Sequence, residues 1–360
     1  MPAGPSLATG SARALSAVHD VALLDLDGVV YVGPDAVPGV PRALAEVRGT
    51  GMRLGFVTNN AARTPEQVAE HLTELGVPAG PSDVITSSQA AATVVAELLG
   101  TGARVLPVGG PGVATALRAA GLTVVDRAED DPAAVVQGYG REVGWAQLAE
   151  AVVAVRNGAR HVATNADATI PSPRGPLPGN GAMVAVVSAV TGRAPLVTGK
   201  PDPAMHAECV RRTDAERPLV VGDRLDTDIE GARRAGVASL LVLSGVTDPA
   251  TLLAAVPAHR PDHLAHDAAG LLTPHPSVTG TGSGWRCGGW QVRAGEAGVL
   301  VLARVADDHP GEAGGDGLDG LRALCVAHWS AHPDAGTAAR VAPGDDAART
   351  ALEGWGIGGR

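Results

Sequence analysis

The sequence predicts an α/β protein whose core is a sheet of parallel strands. From Val21 onward, short β-branched runs alternate with helical patterns, which is typical of strand–helix–strand units. This alternation recurs in three blocks of a 360-residue chain, a length that suits two or three domains. The composition then changes after a stretch rich in Pro, Gly, Ser and Thr at 272–284. We therefore expect a Rossmann-like parallel core, an inserted α/β domain and a small C-terminal α+β domain.

Local patterns justify the elements of the first block. In order, it contains a strand, a helix and a second strand, at 21–30, 40–48 and 53–60. The next helix has clear boundary signals, because Thr64 is placed as its N-cap and Pro65 at its first helical position. Gln67 completes a capping box with Thr64, and Gly76 ends the helix.

The remaining blocks follow the same alternation. The second block opens with a helical pattern and continues with three strands, at 87–100, 103–110, 134–139 and 159–165. The third block again has the pattern of strands, loops and helices, in the segments 195–212, 217–236 and 237–245. Beyond 272–284, which we interpret as a linker, the tail predicts a hairpin and two helices, at 290–305, 317–329 and 345–356. The predicted domains are a core at 15–85 and 195–273, an inserted domain at 86–194 and a C-terminal domain at 285–360.

Composition excludes several classes of protein. The formal net charge of −10 and the lack of a basic run argue against a nucleic-acid partner, which would require a basic patch. No apolar run approaches the roughly 18 residues of a membrane span, so we expect no membrane insertion. The first twenty residues do not resemble a signal peptide, and the three cysteines show no spacing typical of disulfide frameworks or zinc sites. These observations predict a soluble cytoplasmic protein of unknown oligomeric state.

Polar residues follow several apolar strands of the predicted sheet. Asp25 and Asp27 end the first strand, Lys200 follows a later one, and Asp223 and Asp228 follow another. Ligands of open parallel sheets bind beyond the carboxyl ends of the strands, where these side chains would gather. Gathered carboxylates repel one another, and a hard divalent cation relieves that repulsion. The sequence therefore predicts a Mg²⁺ site.

This residue set suits phosphoryl transfer. Asp25 is the candidate nucleophile, since a carboxylate can attack phosphorus and form an aspartyl-phosphate. Asp27 would protonate the leaving alkoxide and later activate water. Thr58 and the amides that follow it would hold phosphoryl oxygens, and Lys200 would neutralise developing charge. Each motif alone has a simpler explanation as a turn or a helix cap, but four of them in this order favour a catalytic site.

The four motifs DLDGVV, VTNN, TGKP and GDRLDTDI resemble those of the haloacid-dehalogenase-superfamily phosphatases, in the class IIA group with a cap domain between the second and third motifs. The resemblance covers roughly residues 21–272. It implies that Asp25, the backbone carbonyl of Asp27, and Asp223 ligate Mg²⁺, with Asp228 in a supporting role. It also implies that the inserted domain is a cap over the site. Thr58, Asn59 and Asn60 are the candidate substrate-binding residues of the second motif.

The predicted cap contains one segment that resembles the part of the family's cap facing the active site. In this segment, at 163–187, Asn165 and Asp167 are candidate substrate-binding residues. Asn180 lies in a Gly179–Gly181 turn where the family pattern leads us to expect a small or hydroxyl residue. A cap with few aromatic residues favours a small polyol phosphate over a stacked nucleobase.

The whole arrangement, with its appended C-terminal module, is most similar to actinobacterial glycerol-3-phosphate phosphatases. That similarity implies an Mg²⁺-dependent phosphatase acting on glycerol 3-phosphate. Phosphoglycolate, a sugar phosphate or a nucleotide is the alternative substrate, and a regulatory protein that binds phosphometabolites is the alternative class. A binder would take up ligand and release no phosphate.

The tail resembles half of an acetyltransferase-like fold. Its glycine-rich stretch at 311–320 lacks the Arg/Gln-x-x-Gly-x-Gly pattern that would bind a pyrophosphate at a helix N-terminus. We therefore expect a degenerate module without acetyl transfer. Because 272–284 is interpreted as a linker, we also expect a chain ending near Thr273 to keep its phosphatase turnover.

Overall fold

The computed structural model describes residues 7–170, 172, 174–305 and 315–357. The chain divides into two compact units. The first unit combines Met1–Arg53 with Arg217–Arg360, and the second unit is Leu54–Glu216.

The elements are numbered in chain order. The strands of the described residues are β1 (Val21–Leu24), β2 (Tyr31–Val32), β3 (Asp35–Ala36), β4 (Arg53–Thr58), β5 (Val84–Thr86), β6 (Arg104–Val108), β7 (Thr123–Val124), β8 (Ala134–Gln137), β9 (Arg160–Ala163), β10 (Thr169–Ile170), β11 (Leu177–Pro178), β12 (Leu196–Val197), β13 (Pro218–Gly222), β14 (Ala238–Val242), β15 (His263–Ala265), β16 (Thr279–Thr281), β17 (Gly284–Cys287), β18 (Trp290–Ala294), β19 (Leu300–Arg304) and β20 (Val341–Pro343). The α-helices are α1 (Val40–Gly49), α2 (Pro65–Glu74), α3 (Ser87–Leu99), α4 (Pro111–Ala119), α5 (Trp145–Arg156), α6 (Asn180–Thr191), α7 (Pro203–Thr213), α8 (Glu230–Ala235), α9 (Pro249–Leu253), α10 (Asp319–Ala331) and α11 (Asp346–Gly354).

The first unit contains four parallel strands in the order β15-β14-β13-β1. All four residues of β1 are buried, as are most of β13 and β14. Burial on both faces explains why these strands are continuous apolar runs rather than alternating patterns. The register pairs Leu24 with Val221, so the carboxyl ends of β1 and β13 lie side by side.

The second unit has a five-stranded parallel sheet in the order β12-β9-β8-β6-β7. One apolar core forms around residues of α3, α4 and the sheet, and another around α5, α6 and the sheet. Strands β4 and β5 also pair in parallel within this unit. The predicted α/β class with parallel, Rossmann-like sheets is confirmed.

The predicted capping box is also confirmed. Helix α2 begins at Pro65, and the N-cap Thr64 accepts a hydrogen bond from the Gln67 amide at 3.4 Å. In return, the Thr64 amide donates to Gln67 Oε1 at 3.0 Å. Gly76, with a φ of +82°, follows the helix in a conformation that favours glycine.

The C-terminal part of the first unit forms a separate five-stranded sheet, in the order β16-β17-β18-β19-β20. Its first three pairs are antiparallel, and β19 pairs with β20 in parallel. The predicted hairpin is present, because Trp290 of β18 lies opposite Arg304 of β19. Helix α10 packs on this sheet and is buried along most of its length.

The linker interpretation of 272–284 was wrong. His275 exchanges two backbone hydrogen bonds with Ser11, of 2.7 and 2.8 Å, and the Val278 amide donates to the Ala8 carbonyl. His275 and Val278 are 4% and 5% exposed, and strand β16 follows at once. A composition of Pro, Ser, Thr and Gly suits an edge segment as well as a linker, because backbone pairing needs no apolar side chains. The stretch is therefore part of the folded structure of the first unit.

In the described residues, no helix has the length and apolar character needed to cross a bilayer.

Candidate active site

Three carboxylates converge at the carboxyl ends of two adjacent strands of the first unit. Asp25 directly follows β1, Asp223 directly follows β13, and Asp228 lies in the π-helical turn Leu225–Ile229. Each offers an oxygen, and these oxygens lie within 4.8 Å of one another. Asp223 and Asp228 are each 1% exposed. The structure thus brings together three of the residues that the sequence predicted as metal ligands.

Backbone amides orient these carboxylates. The Val246 amide donates to Asp223 Oδ2 at 2.7 Å, and the Arg224 amide donates to Asp228 Oδ2 at 3.2 Å. The Asp25 amide donates to the Val221 carbonyl at 2.8 Å, which extends the β1–β13 pairing by one residue. The first two bonds hold the carboxylates of Asp223 and Asp228 in position, and the third fixes the backbone at Asp25.

Two glycines make room for the Asp223 carboxylate. A Cβ at Gly28 or at Gly245 would overlap the carboxyl group of Asp223. Gly28 also has a φ of +84°, which favours glycine. The loop containing Gly245 and Val246 was not singled out from the sequence, although its Ser-Gly pair directly after a strand is a turn signal that could have identified it.

The donor set fits Mg²⁺. This ion prefers carboxylate oxygens and keeps several waters, and three neighbouring carboxylates, two of them buried and held by backbone amides, provide such a partial shell. Without a cation, three ionised carboxylates this close would repel one another. The site therefore suits a hard divalent ion better than a transition metal that prefers nitrogen or sulfur ligands.

Asp27 occupies a different position from this carboxylate cluster. Its side chain is exposed, on the turn between β1 and β2, where Asp27 pairs with Tyr31 in an isolated bridge. The Gly28 amide donates to the Tyr31 carbonyl at 2.8 Å, and Ser244 Oγ donates to the Gly28 carbonyl at 2.6 Å. Hydrogen bonds thus hold the backbone around Asp27, which is an exposed residue.

A second polar cluster in the second unit joins four other predicted site residues. Asn59 Oδ1 accepts from the Lys200 amide at 2.9 Å, and Asn59 Nδ2 donates to the Lys200 carbonyl at 3.2 Å and to Asp167 Oδ2 at 3.3 Å. Asn165 Nδ2 donates to the Asn59 carbonyl at 2.8 Å, while Asn165 Oδ1 accepts from the Asp167 amide. The side chain of Lys200 is half-buried, and its Nζ lies 3.5 Å from the Val57 carbonyl.

Thr58 and Asn60 shape the turn that follows β4. Thr58 is 5% exposed, and its Oγ1 accepts from the Asn60 amide at 3.0 Å. Asn60 Oδ1 in turn accepts from the Ala62 amide at 2.9 Å. These local side-chain bonds replace the strand pairing that ends at Thr58.

Asn180 supports the loop that carries Asn165. It is 2% exposed at the first position of α6, and its Nδ2 donates to the carbonyls of Asn165 and Gln137 at 2.8 and 3.2 Å. The sequence pattern left the role of Asn180 open. In the structure, Asn180 holds the backbone of the loop that contains Asn165.

Comparisons with known proteins agree with this geometry. Residues 22–123 match the family model described as haloacid dehalogenase-like hydrolase, and residues 197–271 match a second HAD-hydrolase-like model. Residues 287–357 match the GCN5-related N-acetyltransferase like domain. The chain belongs to the haloacid dehalogenase-like hydrolases, and the predicted resemblance of its tail to acetyltransferases is confirmed.

Individual relatives match at different lengths. The chain is 43% identical over 355 residues to the D-glycerol 3-phosphate phosphatase of Mycobacterium tuberculosis, covering 96% of each chain. It is 40% identical over 227 residues to an acid sugar phosphatase of Staphylococcus haemolyticus, covering 62% of this chain and 85% of the relative. A crystal structure of a Mycobacterium tuberculosis glycerol phosphate phosphatase with magnesium matches at 43% identity and a TM-score of 0.86, covering 96% of this chain and 99% of that one.

Proposed function

We propose that this chain is an Mg²⁺-dependent phosphatase that hydrolyses small phosphate monoesters through an aspartyl-phosphate on Asp25, with glycerol 3-phosphate as its substrate. The observation that carries the proposal is the convergence of the Asp25, Asp223 and Asp228 carboxylates within 4.8 Å at the ends of β1 and β13. Three neighbouring carboxylates at this position are suited to hold a cation beside a nucleophile.

Mg²⁺ would be held by Asp25, the backbone carbonyl of Asp27, and Asp223, with Asp228 in support. When bound, it neutralises negative charge on the phosphoryl oxygens and on the carboxylates. The amides of Val246 and Arg224 keep Asp223 and Asp228 oriented before any ion arrives.

Asp25 attacks the phosphorus atom with one carboxylate oxygen, forming a P–O bond as the ester P–O bond breaks. Asp27 donates a proton to the departing alkoxide, which leaves as the alcohol. Asp27 then accepts a proton from a water molecule that attacks the same phosphorus, and this step releases inorganic phosphate and restores Asp25. The solvent exposure of Asp27 is consistent with an acid and base that exchanges protons in each turnover.

The residues of the second unit take the remaining roles in this proposal. Thr58 and Lys200 bind and neutralise phosphoryl oxygens, as the family resemblance implies. Asn60, Asn165 and Asp167 remain candidates for contact with the rest of the substrate. In support, the structure joins Asn165, Asp167 and Lys200 into one hydrogen-bonded cluster around Asn59.

Glycerol 3-phosphate is favoured because the match to the relative named for it covers 96% of this chain, which includes most of the C-terminal module. The acid sugar phosphatase covers 62% of the chain. Sugar phosphates are therefore the second substrate class, followed by phosphoglycolate and nucleotides.

We also propose the predicted domain boundaries and a cytoplasmic location. In support, the second and third family models, at 197–271 and 287–357, lie close to the proposed limits of 195–273 and 285–360. The first model begins at 22, near the proposed start of the core at 15, but it extends to 123, beyond the core segment 15–85 and into the proposed cap. Burial raises the pKa of the Cys209 and Cys287 thiols to about 12, and all three cysteines are buried and free, which suits a reducing compartment. Fractionation of the source cells tests the location.

The direct test is a screen of small phosphate esters at fixed Mg²⁺, with phosphate release measured. Glycerol 3-phosphate should give the highest kcat/KM, and a chelator should abolish the activity. Tight ligand binding without phosphate release would instead identify a regulatory binding protein.

A further inference from the structure

We infer that Asn59 is a positioning residue that fixes the main chain of Lys200, rather than a group that contacts the substrate. This inference rests on the proposed function, because it assigns a role to Lys200 in the reaction. It concerns contacts within the second unit alone.

The Asn59 side chain pairs with both main-chain polar groups of Lys200. Its Oδ1 accepts from the Lys200 amide at 2.9 Å, and its Nδ2 donates to the Lys200 carbonyl at 3.2 Å. This pattern imitates one rung of a β-ladder, with an amide side chain in place of a neighbouring strand. The Lys200 amide can only donate, so the Asn59 atom that faces it must be the oxygen. This requirement fixes the orientation of the Asn59 side-chain amide.

The remaining donor capacity of Asn59 is also used within the protein. Nδ2 carries two hydrogens, and its second acceptor is Asp167 Oδ2 at 3.3 Å. Both donors thus point to protein oxygens, so a substrate phosphate or hydroxyl would have to displace one of these bonds. This arrangement favours a role for Asn59 in holding the Lys200 main chain over a role in contacting the substrate.

Asn59 is itself held from the other side. Its carbonyl accepts from Ser87 Oγ at 2.7 Å and from Asn165 Nδ2 at 2.8 Å. On the Lys200 side, a Cβ at Gly199 would come within 2.7 Å of Asn59 Oδ1, so only glycine permits this approach without a shift. The Lys200 backbone is therefore fixed against a rigid partner.

Lysine carries a flexible four-carbon stem, so the position of its ammonium group depends on its anchor. Releasing the Lys200 main chain would let the ammonium group move away from the phosphoryl group that it neutralises in the proposed mechanism. A displacement of about 1 Å in a catalytic group can reduce the rate about a hundredfold.

The test uses the full chain with four variants: Asn59→Ala, Lys200→Ala, the double variant, and Asn157→Ala as a matched control. Asn157 is an exposed asparagine at the end of α5, outside the cluster. Asn59→Ala should lower kcat about 10- to 100-fold and change KM less than about threefold. In the Lys200→Ala chain, the same substitution should cost less than about threefold, because its effect acts through Lys200.

A KM increase that accounts for the loss, or full additivity in the double variant, would overturn the inference and make Asn59 a substrate contact. Amide hydrogen exchange supplies a readout without turnover: the Lys200 amide should lose protection in Asn59→Ala and keep it in Asn157→Ala. Unchanged protection also overturns the inference. Should Asn59→Ala fail to fold, Asn59→Asp keeps the shape and the acceptor of the Lys200 amide and removes only the donor to the Lys200 carbonyl. For this variant the kcat, KM and double-variant measurements decide: kcat should fall with little change in KM, and the loss should nearly disappear in the Lys200→Ala chain.

If the wild-type chain releases no phosphate from any ester, the proposed function fails. The exchange measurement then still decides whether Asn59 fixes the Lys200 main chain.

Discussion

At the scale of single residues, the site depends on carboxylates whose directions are set by backbone amides. Asp223 is the clearest case, since it is 1% exposed, accepts the Val246 amide, and lies against two glycines that leave room for its carboxyl group. A buried carboxylate in this setting is costly to keep ionised unless a partner compensates it. A bound cation provides that compensation in the proposed function.

We expect Asp223→Asn to raise the Mg²⁺ concentration needed for half-maximal activity by at least tenfold, because it replaces a charged ligand with a neutral one of the same shape. Mg²⁺ titration of phosphate release measures this shift. Asp226→Asn is the matched control, because Asp226 lies in the same turn, is exposed and pairs with Arg224. An unshifted titration for Asp223→Asn would remove Asp223 from the metal site.

Much of the residue-level site could be predicted because its chemistry is encoded locally. Asp25, Asp223 and Asp228 follow apolar strands, and parallel strands bring such ends together. The roles of Asn59 and Asn180 could not be predicted, because their hydrogen-bond partners lie 141 and 15 residues away along the chain, respectively. No spacing pattern shows which backbone carbonyl an amide side chain will reach.

At the scale of elements, two histidines pack together where β15 meets the segment that follows Thr273. The rings of His263 and His275 lie 5.0 Å apart between centroids, and His275 Nε2 lies 2.9 Å from the Gly270 carbonyl. Burial, with a smaller contribution from His275, lowers the pKa of His263 to about 3. Burial also lowers the pKa of His275. Both rings are therefore neutral at pH 7.

We expect the free energy of unfolding to decrease as the pH falls below about 6.5, the ordinary pKa of histidine. In that range the unfolded chain binds a proton at His263 that the folded chain does not, and this favours unfolding. Above pH 6.5 both states are neutral and the effect vanishes. Denaturant unfolding between pH 5 and 8 should show a shallower pH dependence for His263→Asn than for wild type. Identical slopes would contradict the burial argument.

Element boundaries show where local patterns are sufficient. The capping box placed the start of α2 at the correct residue, because its signal consists of three neighbouring residues. Strand β1 ends at Leu24 although the apolar run continues to Val30, because the chain turns after Asp27 and pairs Tyr31 with Ala36 instead. Tertiary pairing of this kind is not visible in a local pattern.

At the scale of the whole molecule, the tail and the Rossmann-like strands of the first unit share one hydrophobic core. This core includes Leu241 and Leu264 of the parallel sheet together with Leu302 and Trp329 of the tail. Trp329 Nε1 donates to the Leu253 carbonyl at 3.1 Å. The resemblance of the tail to acetyltransferases is thus confirmed. Its apolar residues, however, belong to the same hydrophobic core as those of the parallel strands.

Arg260 strengthens this connection. It is 6% exposed, its guanidinium carbon lies 5.4 Å from the centre of the Trp329 ring, and it donates to the carbonyls of His332, Pro333 and Ala335 at 2.7 to 3.1 Å. Removing the tail would remove the Trp329 ring and these three acceptors, so Arg260 would lose the contacts that join it to the tail.

The expectation that a chain ending near Thr273 keeps its turnover therefore has to be reversed. We expect that truncation to give an unfolded or aggregated chain, because it exposes the shared core. As a milder test, Trp329→Ala should reduce stability by about 3–5 kcal/mol. Trp145→Ala, at an 85% exposed tryptophan, should change stability by less than about 0.5 kcal/mol. Thermal unfolding measures both, and a folded truncation with full-length kcat would contradict the shared core.

The central claim is that Asp25 attacks phosphorus, and Asp25→Asn tests it most directly. The substitution keeps the shape and removes the attacking charge. Phosphate release from the best ester should therefore fall by at least about a thousandfold, while thermal unfolding shows an intact fold. Single-turnover experiments with ³²P-labelled ester should detect an acid-stable protein phosphate in the wild-type chain and none in Asp25→Asn. Turnover within tenfold of wild type in Asp25→Asn would contradict the account.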